Sequence, residues 1–214
     1  MKKSATNTTL IVVIMLSITL SSFAQDSHVS LLINNVNSRL NYGSTNGLLQ
    51  GYKKDVRGLQ AGLSWQAGVT KHFSIVTEAY FVKKGGALKT DNPVDGMKSS
   101  LKLYTVEVPV LARIHAGKFY FNAGPYANYI FSGKTFSDSE GTQSISFGAG
   151  TGNFKKWEAG VQGGAGYQFA MKKTRMALDV RYTHGLTSIA SDRDLFNRTI
   201  NLNVLVHRSW KRQS

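Results

Sequence analysis

Leu59-Gln60-Ala61-Gly62-Leu63-Ser64-Trp65-Gln66-Ala67-Gly68-Val69 alternates without a break. Every odd position is apolar, and every even one is Gln, Gly or Ser. Successive side chains of a β-strand point to opposite faces, so this stretch makes a strand with one apolar and one polar face. As a helix it would scatter the same residues around the axis and bury nothing well.

The pattern extends over Arg57–Thr70 and recurs seven times. The other segments are His28–Val36, His72–Lys83, Leu101–His115, Lys118–Ser132, Lys155–Ala170, Thr174–His184 and Arg198–Arg208. Strands of soluble sandwiches run to about 5 or 6 residues. A membrane-crossing strand needs about 9 to 11, and these segments are of that length. The connections alternate too. Thr70-Lys71, Ala116-Gly117 and Met171–Lys173 are short, whereas Asn37–Val56, Lys84–Ser100, Gly133–Phe154 and Gly185–Asn197 are long. Short periplasmic turns and long external loops are the habit of outer-membrane barrels. The sequence therefore predicts an all-β fold, an eight-stranded antiparallel up-and-down transmembrane β-barrel, with both termini on the periplasmic side.

Composition agrees. The 214 residues carry 26 Lys and Arg against 12 Asp and Glu, a formal charge of +14, and no cysteine. Thiolate metal sites, cysteine nucleophiles and disulfide scaffolds are thereby excluded. Lys2 and Lys3, the apolar run Leu10–Leu20 and Ser22-Phe23-Ala24 read as a secretory signal peptide over 1–24, cleaved before Gln25. Residues 25–214 are then the barrel domain, with a charge of +12. An exported basic protein meets anionic lipid or polysaccharide rather than nucleic acid. The expected partners are outer-membrane lipid and lipopolysaccharide, with a protein partner for the long external loops.

Aromatic residues fall at the ends of the apolar faces, as membrane–water interfaces favour. Phe81, Tyr104, Tyr129, Phe131, Trp157 and Tyr182 are expected at the outer rim. Phe73, Phe119, Phe121, Tyr167 and Phe169 are expected at the periplasmic one, with Trp210 beyond them.

Certain stretches resemble the PorT-like outer-membrane β-barrel family. They are Gly58–Leu63, Leu103–Val110 with its Glu107-Val108-Pro109, Phe121–Tyr126 with its Ala123-Gly124-Pro125-Tyr126, and Asp179–Leu186. The resemblance spans Gln25 to about Trp210. It implies an eight-stranded outer-membrane barrel and, through the family's namesake, an accessory role in protein secretion. One departure is the C-terminus, where Lys211-Arg212-Gln213-Ser214 follows Trp210 in place of a terminal aromatic.

The polar faces carry the candidate site residues. Glu78, Glu107, Glu158 and Asp179 point inward with Arg113 and Arg181. Isolated charges are costly to bury, so these groups are expected to form an interior charge network that plugs the lumen. Paired carboxylates for acid–base catalysis are the sharper reading, but an eight-stranded interior leaves little room for substrate. His184, Ser188 and Asp192 offer the types of a hydrolase triad at the rim, which would make a lipid-modifying enzyme. A soluble lipocalin-like barrel is the other alternative and requires the apolar faces to line a cavity. The five histidines, His28, His72, His115, His184 and His207, lack metal-ligand spacing. No cofactor is expected. The glycines of Gly160-Val161-Gln162-Gly163-Gly164-Ala165-Gly166 precede no helix, so they make room inside a tight barrel rather than a phosphate loop. Lys53, Lys54, Arg57, Lys83, Lys84, Lys89, Lys155, Lys156 and Arg193 are expected on the external face.

Overall fold

The computed structural model describes residues 27–94, 96–170 and 174–208. The expected signal peptide and Trp210 lie outside them. Nine strands form among the described residues: β1 (Ser27–Asn41), β2 (Lys53–Gly68), β3 (Phe73–Leu88), β4 (Ser99–Ala116), β5 (Phe119–Ser137), β6 (Gly141–Ser144), β7 (Trp157–Ala170), β8 (Thr174–Gly185) and β9 (Phe196–Arg208). Eight of them make the wall, in the order β4-β3-β2-β1-β9-β8-β7-β5, and β4 pairs with β5 to close it. Every pairing is antiparallel, including β1 with β9, where Leu31 lies opposite Val206 and Asn41 opposite Phe196. Closure removes the sheet edges, so the backbone donors of the wall find their acceptors across strands, as hydrocarbon demands. The short β6 pairs only with the outer end of β5, Ser137 opposite Gly141.

The faces are partitioned inside out relative to a soluble barrel. Ile33, Leu59, Phe81 and Trp157 are exposed by 65 to 73 %, while Gln60, Glu78, Asp179 and Asn203 are buried. The apolar faces therefore do not line a cavity, and the lipocalin-like alternative fails on this point. All eleven interface aromatics face outward, Phe73, Tyr129 and Tyr167 half-buried and the rest exposed. Edge-to-face and tilted pairs tie them together: Phe81 with Phe131 at 6.3 Å, Tyr129 with Trp157 at 5.0 Å, and Phe119 and Phe169 each with Tyr167 at 4.8 Å.

The strands outrun the sequence pattern at the long-loop end. β3 continues from Lys83 to Leu88 against Tyr104 to Ser99 of β4, and β5 continues to Ser137. Alternation marks where a strand meets lipid, whereas pairing continues wherever the backbone finds a partner. The wall thus projects past the girdle on the β3–β4–β5 side.

Candidate functional site: the sealed lumen and its mouth

The glycines of β7 shape the interior. A Cβ on Gly160 would lie 2.6 Å from the Tyr126 ring, and one on Gly166 would lie 2.2 Å from that of Tyr120. Both tyrosines come from β5, lie opposite these glycines and are buried inside the barrel, in space that a side chain on β7 would take.

Two charged tiers fill the space so made. In the outer tier Lys84 of β3 donates to Glu107 of β4 at 2.9 Å and lies 2.9 Å from Glu158 of β7. Neutral donors complete both carboxylates. Tyr80 donates to Glu107 at 2.8 Å, and the Gln162 amide also donates to Glu107. Tyr126, Asn128 and Asn197 each donate to Glu158 at 2.9 Å. Lys84 also sits 5.5 Å from the centre of the Tyr126 ring.

In the inner tier Arg181 of β8 bonds Glu78 of β3 through both terminal nitrogens, at 2.5 and 3.0 Å, and Asp179 through Nε at 2.8 Å. Tyr120, Asn122 and Asn203 donate to Asp179 at 3.0, 2.9 and 3.0 Å. Ser64 donates to Glu78 at 3.0 Å. These charge-assisted bonds offset part of the desolvation that burial imposes.

All six network residues read from sequence are buried inside the barrel, yet two points differ. Arg113 forms no ion pair among the described residues. It donates to Gln66 at 2.7 Å and stacks 4.1 Å over Tyr120. Lys84 is not an external cation: it is 1 % exposed and is the sole cation of the outer tier. The reason is parity. Glu78, Tyr80 and Val82 of β3 face inward, and the strand runs on, so the next even position does too.

Apolar residues close the mouth above the outer tier. Leu40, Leu101, Leu103 and Ile130 of the wall pack with Phe154, Ile189, Ala190 and Leu195, which the long loops fold inward. Over this lid lies a cavity of about 710 Å³ between Leu49, Leu88, Thr135, Glu140, Arg193 and Asp194. The loops are tied to each other as well. Gly152 donates its N–H to Asp192 at 2.9 Å, and that bond holds the Asp192 carboxyl below its usual range.

The rim triad is not assembled. Ser188 Oγ donates to the carbonyls of Ala190 and Arg193 and accepts from the amides of Ala190 and Leu195. Asp192 is engaged by Gly152, and His184 packs against Tyr182 on the outer wall at 6.0 Å. Each group is committed elsewhere, and none is within hydrogen-bond reach of another.

A closed barrel with an apolar outer band, aromatic girdles and a polar, filled interior defines an outer-membrane β-barrel protein. Residues 23–191 match the family model of the outer membrane protein beta-barrel domain, and the chain belongs to that family. No curated protein matches it. Among solved structures it is similar to Ail, the attachment invasion locus protein of Yersinia pestis, at 14 % identity, 86 % of this chain, 100 % of that one and a TM-score of 0.44. Neisserial surface protein A is 11 % identical over 85 % of this chain and 99 % of its own, with a TM-score of 0.46. OprG from Pseudomonas aeruginosa is 14 % identical over 86 % and 98 %, with a TM-score of 0.43.

Proposed function

We propose that this protein is a non-enzymatic, closed outer-membrane barrel that acts by interaction: its wall with outer-leaflet lipid and lipopolysaccharide, its loop-built mouth with an external partner. The observation that carries this reading is the sealing of the lumen by two charged tiers and an apolar lid. A filled interior offers neither a solute path nor a substrate cleft, so the groups left to act are those of the loops and the wall. The dispersal of Ser188, His184 and Asp192 supports a non-enzymatic role. The secretion-accessory role is the form of this reading that the PorT-like resemblance supports.

Planar-bilayer recording of the folded chain, identified by heat-modifiable gel mobility, tests the proposal. Silence at voltages where porins conduct is expected, and stable channels would contradict it. Substituting Ser188 and His184 is expected to leave lipid A composition unchanged. Altered lipid A would favour the enzyme.

A further inference from the structure

Lys102 of β4 lies directly opposite Lys134 of β5 on the outward face. Both are exposed, and like charges in this position repel. Lys83 of β3, half-buried, stands opposite Tyr104, two residues below Lys102. None of the three makes an ion pair among the described residues. Asp55, an acid on the exposed face of the neighbouring β2, is already engaged by Arg39 at 2.5 Å. Hydroxyls complete the patch: Ser132 opposite Tyr104 and Ser144 of β6 opposite Lys134.

Height decides what such a patch meets. Lys83 follows Phe81 by two residues toward the loops, Lys102 stands two residues above Tyr104, and Lys134 three above Phe131. A strand rises about 3.3 Å per residue. The lysines therefore lie roughly 7 to 10 Å along the strands beyond girdle aromatics that mark the lipid–water interface. That is the level of headgroup phosphates.

We infer that the outward face of β3–β4–β5 is a binding site for a phosphorylated glycolipid of the outer leaflet. Its phosphate bridges Lys102 and Lys134, with Lys83 beside them, and its acyl chains lie on Phe81, Tyr104 and Phe131. The anion removes the repulsion that the bare lysine pair carries. This inference rests on the placement of the long-loop end at the outer leaflet in the preceding reading.

The test uses the full chain in nanodiscs of zwitterionic phospholipid doped with bisphosphorylated lipid A, and native mass spectrometry reads the lipid A retained. The paired substitution Lys102→Gln with Lys134→Gln is expected to lower retention about thirtyfold, given roughly 1 kcal/mol per basic residue near a charged surface. Lys155→Gln with Lys156→Gln removes equal charge elsewhere on the rim and is expected to change it less than twofold. Phosphate-free lipid A is expected to be lost from the unmodified chain as it is from the Lys102/Lys134 variant. Equal losses in both variants, no loss in either, or equal retention of phosphate-free lipid A would each overturn the site. Displacement by equimolar inorganic phosphate would reassign it to a soluble anion and overturn the lipid reading. If the double variant does not fold, Lys134→Gln alone is read, with about a fivefold loss expected and an unchanged value overturning the site. Mobility and conductance are recorded on the same preparations. An open or unfolded barrel counts against the preceding reading, and a closed one without the lysine effect counts against this one.

Discussion

Lys84 and Glu158 belong to strands that are not neighbours in the wall, β3 and β7, yet their side chains meet at 2.9 Å across the lumen. Glu107 shares the same ammonium. Removing the cation leaves two buried carboxylates facing each other. Lys84→Met is expected to destabilise the barrel by about 3–5 kcal/mol. Urea unfolding in lipid vesicles, followed by tryptophan emission, measures it. Adding Glu107→Gln and Glu158→Gln to the same chain is expected to recover most of the loss, because no bare charge then remains.

Tyr126 donates its hydroxyl to Glu158 from a buried position. Tyr126→Phe is expected to cost about 1–3 kcal/mol by the same assay, the usual penalty for stripping a donor from a buried charge. Tyr129, three residues on, faces outward. Tyr129→Phe is expected to stay within about 0.5 kcal/mol. Equal effects would refute the assignment of the two faces.

Gly166 and Gly163 provide a matched pair on β7. A methyl on Gly166 would overlap the Tyr120 ring, whereas one on Gly163 would come no nearer than 3.7 Å to Asn122. Gly166→Ala is expected to cost about 1–3 kcal/mol through overpacking. Gly163→Ala is expected to be near neutral. Midpoints of thermal mobility shift on gels rank them.

Asp192 couples loop stability to pH. Its carboxyl is held low first by the Gly152 amide, with Arg193 assisting. A depressed folded-state pKa means that the contact contributes fully above the ordinary value of about 3.9 and is lost as pH falls through the lower one. The Gly152 amide resonance in micelles is expected to titrate with a midpoint below about 3.9. Asp192→Asn should remove that titration, and a midpoint above 3.9 would contradict the contact.

The wall was legible because lipid contact imposes a period of two on every strand, and Leu59 to Val69 displays it without interruption. The same parity placed Glu78, Glu107, Glu158, Asp179 and Arg181 inside. Lys84 escaped because Lys83 beside it and Gly85-Gly86 after it look like the end of a strand. Extending the even positions of β3 by one step would have found it. Arg113 lies on the inward face that alternation gives it, but its partner is an amide and not a carboxylate. Alternation tells where a side chain points, not whether a carboxylate or an amide such as that of Gln66 waits there. The mouth left no periodic trace. Phe154, Ile189 and Leu195 sit in loops, where an inward-folded apolar residue looks like any other. The Lys102–Lys134 juxtaposition depends on the register between β4 and β5, which neither strand states alone.

The interior ion pairs also bear on the order in which the barrel is made. Glu78 and Arg181 are 103 residues apart in the chain, yet they bond directly. Strands β1 to β5 can align through their hairpins while Glu78 still lacks its cation. Lys84 likewise lacks one of its two carboxylates until β7 arrives. A partly assembled sheet therefore keeps its polar face wet, since drying it early would strand charges without counterparts. Expulsion of water from the lumen waits on the arrival of the C-terminal strands, and the β8–β9 hairpin completes the electrostatic balance of β3.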